Sequence, residues 1–146
     1  MREILFRGKR TFNGEWVEGY YVHLTNGDVD RHRIYTGYAD IDFGDIYPKS
    51  YEVDPDTVGQ YTGLTDKDGK KIFEGDIIIY HYDHARTDLI FKVIYEDAGF
   101  YIRGDSAMPL FHTALFTAIA KDARIIGNAR IIGNVYDNPE LLGGKK

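Results

Sequence analysis

The stretch from Val53 to Asp76, VDPDTVGQYTGLTDKDGKKIFEGD, limits the fold more than any other part of the chain. Asp54-Pro55 and Asp68-Gly69 are turn signals set between short β-prone runs. The stretch ends in Glu74-Gly75-Asp76 and passes at once into the apolar run Ile77-Ile78-Ile79. Glycine permits backbone angles that other residues resist, and an Asp side chain can bond N–H groups within a turn. Gly75-Asp76 therefore reads as a sharp turn into a buried strand. This is the pattern of a compact β-domain, and it contains no catalytic arrangement.

A chain of 146 residues makes one average domain or two very small ones. With 43% hydrophobic and 28% charged residues it has an ordinary globular balance. The 12 Tyr, 8 Phe and 16 Gly favour strands joined by tight turns. The absence of cysteine excludes a disulfide framework and a zinc-thiolate site, and is compatible with the cytoplasm, the expected location. The apolar run near the N-terminus is too short for a signal-peptide core, and no stretch approaches the ~20 apolar residues of a membrane helix. The net charge of −5 is local. Residues 1–33 carry six bases and five acids, whereas residues 34–60 carry Lys49 alone against six acids. Such a chain has no global attraction to DNA or anionic membranes.

The expected fold is mainly β with one helix. Strands are predicted over Glu3–Arg7, Trp16–Leu24 and Val29–Tyr35, with hairpin signals at Asn13-Gly14 and Asn26-Gly27 and a bulge at Gly19. Asp40 to Ser50 reads mostly as loop. Short extended pieces follow at Tyr51–Val53 and Thr57–Thr62, then a strand at Ile77–Asp83. Leu89–Tyr95 and Phe100–Arg103 are expected to pair around Asp97-Ala98-Gly99. Phe111, Leu115 and Ile119 recur at helical spacing and predict a helix over Pro109–Lys121. Asn138-Pro139-Glu140 starts a single turn that Gly143 stops. Residues 123–128 and 129–134 both read ARIIGN. Six residues are too few for a solenoid unit, so this is a local duplication whose even length preserves strand facing. One copy is expected to continue a strand and the other to be absorbed at a loop or helix end.

Three blocks carry a family resemblance: REILFRG with GEWVEGYYV, then VDPDTVGQYTGLTDKDGKKIFEGDII, then IGNVYDNPELL. In this order they resemble the YopX family. The doubled ARIIGN departs from the single copy the family pattern suggests. The resemblance implies a mostly-β fold with an SH3-like small barrel in the later part, and a phage or prophage origin. It implies no activity and carries over no functional residues. The expected organisation is an irregular N-terminal β-region over residues 1–61 and an SH3-like barrel over residues 62–146, which includes the helix near 109–121 and the C-terminal turn.

Three candidate sites stand out. His81-Tyr82-Asp83-His84 places His81 and Asp83 on one strand face, and His23, His32 or His112 could complete a metal set. A polar strand end entering a loop explains the same residues more simply. Asp40-x-Asp42-x-Gly44-Asp45 faintly suggests a calcium loop, but Gly44 is one place early and the distal Glu is missing. Arg7, Arg10, Arg31 and Arg33 lie among aromatics that include Trp16, a composition that can cradle single-stranded nucleic acid. The balanced local charge favours aromatics in the core and bases paired with acids.

No nucleophile elbow and no phosphate-binding loop is present in the sequence. The expectation is a non-enzymatic interaction protein without cofactor or metal, which binds a host or phage protein or its own copy. A nucleic-acid-binding module is the first alternative. A metal-assisted hydrolase around His81, Asp83 and His84 is the second.

Overall fold

The computed structural model describes residues 3–41, 45–80, 88–104, 112–114 and 129–143. The chain forms two compact units, Met1–Tyr61 and Thr62–Lys146. Both are built from antiparallel strands, and the only helical pieces among the described residues are the short 3-10 turns Pro55–Thr57 and Pro139–Leu142.

In the first unit β1 (Phe6–Lys9), β2 (Trp16–Asn26), β3 (Val29–Ile41) and β4 (Asp45–Glu52) lie in the order β4-β3-β2-β1. The start of β5 (Gly59–Thr65) pairs with the other edge of β1. β2 is long enough to serve two partners, with Trp16–Gly19 facing β1 and Tyr20–Asn26 facing β3. Gly19 sits at that handover. It introduces no bulge, contrary to expectation, because neither ladder shifts register there. Its role is close approach: an added Cβ would lie 2.2 Å from the Tyr35 carbonyl oxygen.

Ile34 and Val53 are the buried centre of this unit, and Gly8 leaves just enough room for both. After β4 the chain turns back across the end of β1. Arg10 bridges Val53, the Val53 N–H donates to the His32 carbonyl (2.9 Å), and the Asp54 N–H donates to that of Lys9 (2.8 Å). Asp54 then caps the turn Pro55–Thr57 by accepting from the Asp56 N–H, while Thr57 Oγ1 accepts from the Lys9 N–H at 2.9 Å. The Asp54-Pro55 signal is thus a clamp on β1.

Two expectations fail here. Asp40 to Ser50 is not mostly loop, since β3 runs to Ile41, β4 starts at Asp45, and the two pair from Arg33↔Glu52 to Ile41↔Asp45. A backbone ladder along both strands, with one register shift between Tyr35 and Gly37, outweighs the weak strand propensity of Asp and Pro. Pro48 is tolerated because β4 is an edge strand, where its missing N–H removes no ladder bond. The same pairing corrects the calcium-loop reading, because Asp40 and Asp45 belong to strands.

In the second unit β7 (Asp76–Tyr80), β8 (Leu89–Glu96), β9 (Gly99–Gly104), β10 (His112–Ala114) and β11 (Arg130–Asn134) form a sheet ordered β10-β9-β8-β7-β11. The end of β5 lies beside β6 (Lys71–Phe73). Ile72, Ile78, Tyr80, Phe91, Val93, Ile102 and Ala129 make one buried cluster. The alternation of Phe91 and Val93 along β8, opposite Ile78 on β7 and Ile102 on β9, follows from the two-residue strand period.

The VDPDTVGQYTGLTDKDGKKIFEGD stretch is the fastening of this unit too. Asp66 closes the β5–β6 turn by accepting from the N–H groups of Asp68 and Lys70, both at 2.9 Å, and reaches β11 by accepting from the Ile131 N–H at 3.1 Å. Asp76 accepts from the Phe73 N–H at 2.8 Å across the next turn. Gly75, with φ of 91°, donates to Val93 and accepts from Val135, both at 2.8 Å. These carboxylates are structural.

The helix expected over 109–121 is corrected where it can be seen. His112–Ala114 is β10, antiparallel to β9, and the remaining residues lie outside the described ones. The β9 edge offers a row of backbone partners, and β-branched Thr113 has poor helix propensity. The second ARIIGN copy forms β11, with a register shift between Ile131 and Gly133. The first copy lies outside the described residues.

Candidate functional site

The β2–β3 hairpin turns on a two-residue loop, Gly27-Asp28, between Asn26 and Val29. Gly27 has φ of 61°, which suits the first position of a type II′ turn. This short loop fixes the register along the hairpin and divides its side chains between two faces.

One face carries Arg7 and Lys9 from β1, Trp16, Glu18, Tyr20, Val22 and Leu24 from β2, and Arg31, Arg33 and Tyr35 from β3. The Arg7 guanidinium lies over the Trp16 ring, 4.8 Å from its centroid. Arg33 donates from Nε to Ser50 Oγ (2.8 Å) and from Nη2 to the Ser50 carbonyl (3.2 Å), which ties it across β4. Arg31 is exposed opposite Leu24. Four of the five residues proposed from sequence for nucleic acid, Arg7, Trp16, Arg31 and Arg33, therefore share this face. Arg10 does not. It sits over the Tyr51 ring at 4.2 Å and pairs with Glu15 at 3.6 Å. With Glu18 and Glu52 against the four bases, the face is mildly positive.

Large side chains are also open to solvent in this unit. Tyr20 is 66% exposed and Tyr38 75%, and Leu24, Val29 and Tyr47 are exposed too.

The opposite face of the hairpin gathers Tyr21, His23, Asp30 and His32. His23 is directly opposite His32, and their rings stack with centroids 4.1 Å apart and planes 14° from parallel. His23 Nε2 is hydrogen-bonded to Asp30 Oδ1, and His32 Nε2 lies 3.6 Å from Asp30 Oδ2. The Tyr21 hydroxyl is hydrogen-bonded to His32 Nδ1. The bond to His23 holds the Asp30 carboxyl below the usual range, helped by the nearby imidazoles against slight desolvation. Burial, then the Asp30 charge, pushes the Tyr21 phenol up.

Among the described residues this is the one group of three whose donors could meet at a metal ion. The sequence reading named His23 and His32 only as distant completions of a site at His81. Their convergence with each other and with Asp30 was missed. The hairpin signal at Asn26-Gly27 is one residue off the loop that forms, Gly27-Asp28, which closes Asn26 on Val29 and puts residue 23 opposite residue 32. His81, Asp83 and His84 lie outside the described residues, as does the side chain of His112.

In the second unit an open groove of about 350 Å³ is lined by residues that include Glu74, Lys92, Tyr95 and Tyr136. Among the described residues no helix is long and apolar enough to cross a membrane.

These features define an antiparallel β-protein of two small units, with an aromatic and basic sheet face on the first. The model of the family described as YopX protein matches residues 5–143, and the chain belongs to the YopX family. The crystal structure of protein EF1440 from Enterococcus faecalis is similar, with a TM-score of 0.63 and 25% identity, covering 97% of this chain and 99% of that one. Comparison with curated proteins returns no match.

Proposed function

We propose that the protein is a non-catalytic interaction module of phage or prophage origin. It binds a host or phage protein through the exposed face of its N-terminal unit. The observation that carries this reading is the exposure of Tyr20 and Leu24 on a paired, ordered strand. Tyr offers large contact area with a polar tip at low entropic cost, and is enriched where proteins meet. Edge strand β4 adds backbone groups to which a second chain can pair, either a partner's strand or another copy's. An open sheet face suits association, whereas small-substrate chemistry generally uses an enclosed cleft. A cytoplasmic location in the host suits a chain without cysteine. The SH3-like closure of the later part belongs to the same proposal, on the strength of the family resemblance.

Nucleic-acid binding is the second reading, favoured by the shared face of Arg7, Trp16, Arg31 and Arg33. Capture of partners from host lysate, with and without nuclease, separates the two. Protein binding predicts a nuclease-resistant partner that is lost in Tyr20→Ala with Leu24→Ala. Nucleic-acid binding predicts nuclease-sensitive capture that falls steeply with salt and is lost in Arg31→Ala with Arg33→Ala.

A further inference from the structure

The geometry points to a divalent transition-metal site on the β2–β3 hairpin, formed by His23, Asp30 and His32. Two imidazole nitrogens and one carboxylate oxygen lie within 4.8 Å of one another. Each is an electron-pair donor, and donors brought this close repel unless positive charge sits between them. Either protons or a metal ion can supply it.

Several details favour a metal. Tyr21 engages His32 Nδ1; in the tautomer that carries its proton on Nδ1 the phenol oxygen accepts it, and Nε2 turns its lone pair toward Asp30. An outer partner on the second ring nitrogen is the usual way a ligating histidine is oriented. Phe6 packs beside the Tyr21 ring, with centroids 5.7 Å apart, and holds that partner in place.

Ligands bound about 2.0–2.2 Å from one zinc-like ion lie roughly 3–3.6 Å apart. The Asp30–His32 separation of 3.6 Å is already at that spacing. The His23 ring must turn out of its stack on His32, toward the solvent to which its side chain is 46% exposed. The ligands stand on paired strands, so coordination needs side-chain rotation and no change of register.

Two imidazoles and a carboxylate suit zinc, cobalt, nickel or copper, whereas calcium and magnesium prefer all-oxygen shells. Three protein ligands leave at least one coordination position for water or for a side chain of a bound partner.

The test is calorimetric titration of the full chain with Zn²⁺ alone at neutral pH in a non-coordinating buffer. One ion is expected per chain. Binding should weaken at least about tenfold in His23→Gln and in His32→Gln, and by about 10-fold or more in Tyr21→Phe through loss of the outer partner. It should persist when His81, His84 and His112 are all changed to Gln. Histidine side-chain NMR gives a second readout, with zinc moving the resonances of His23 and His32. Circular dichroism of each variant checks folding, and the exposed His23→Gln is the variant least able to disturb it. Absence of stoichiometric binding overturns the proposal. So does zinc binding that survives His23→Gln in a folded protein.

Discussion

At the scale of single residues, Gly19 and Asp66 carry the most structural weight. At Gly19 the obstacle is a backbone carbonyl, Tyr35 O, which cannot step aside without breaking the β2–β3 ladder. Gly19→Ala should therefore cost about 3 kcal/mol or more, read as a lower urea midpoint. Burial alone would raise the Asp66 carboxyl, but the N–H groups of Ile131, Lys70 and Asp68 outweigh it and hold its pKa low. Removing these charge-assisted bonds in Asp66→Ala should cost about 3 kcal/mol. The pH sign follows from the depressed pKa. The contribution is complete above the ordinary carboxylate value of about 4 and is lost as pH falls through the depressed folded value. Acid titration of urea stability should show wild type losing its advantage over Asp66→Ala in that window. A constant gap between the two down to pH 2 would contradict the role given to Asp66.

At the scale of elements, turn chemistry explains both what the sequence reveals and what it hides. The β8–β9 turn was legible from Asp97-Ala98-Gly99, and the hairpin forms there with both Asp97 (φ 48°) and Ala98 (φ 61°) in the left-handed region. Alanine is strained in that region, and glycine is not. Ala98→Gly should raise stability by about 0.5–1 kcal/mol, seen as an upward shift in the thermal midpoint. A fall would mean that Ala98 makes a contact that outweighs its backbone strain. The β3–β4 hairpin was not legible, because Gly37, Pro48 and several Asp residues lower strand propensity while the ladder they join is set by tertiary pairing. For β10 the helical spacing of Phe111, Leu115 and Ile119 pointed one way and the open edge of β9 decided the other. The histidine cluster was only partly legible, since an Asn26-Gly27 loop would set His23 opposite Asp30, whereas the Gly27-Asp28 loop that forms sets it opposite His32. Reading the strands one at a time concealed it.

At the scale of the whole molecule, the mainly-β character was readable because aromatic and β-branched runs alternate with turn residues along most of the chain. Family membership was readable from blocks that proved to be structural, with Asp54, Asp66, Gly75 and Asp76 all serving backbone geometry. Those residues serve the fold, so recognising them gives the family and its architecture. The proposed function rests instead on what the first unit leaves open to solvent. The most direct measurement is lysate capture with nuclease present, comparing wild type with Tyr20→Ala plus Leu24→Ala. The account predicts a stoichiometric protein partner on wild type and its loss on the variant, with both proteins equally folded by circular dichroism. Equal capture by wild type and variant, or capture that nuclease abolishes, would contradict it.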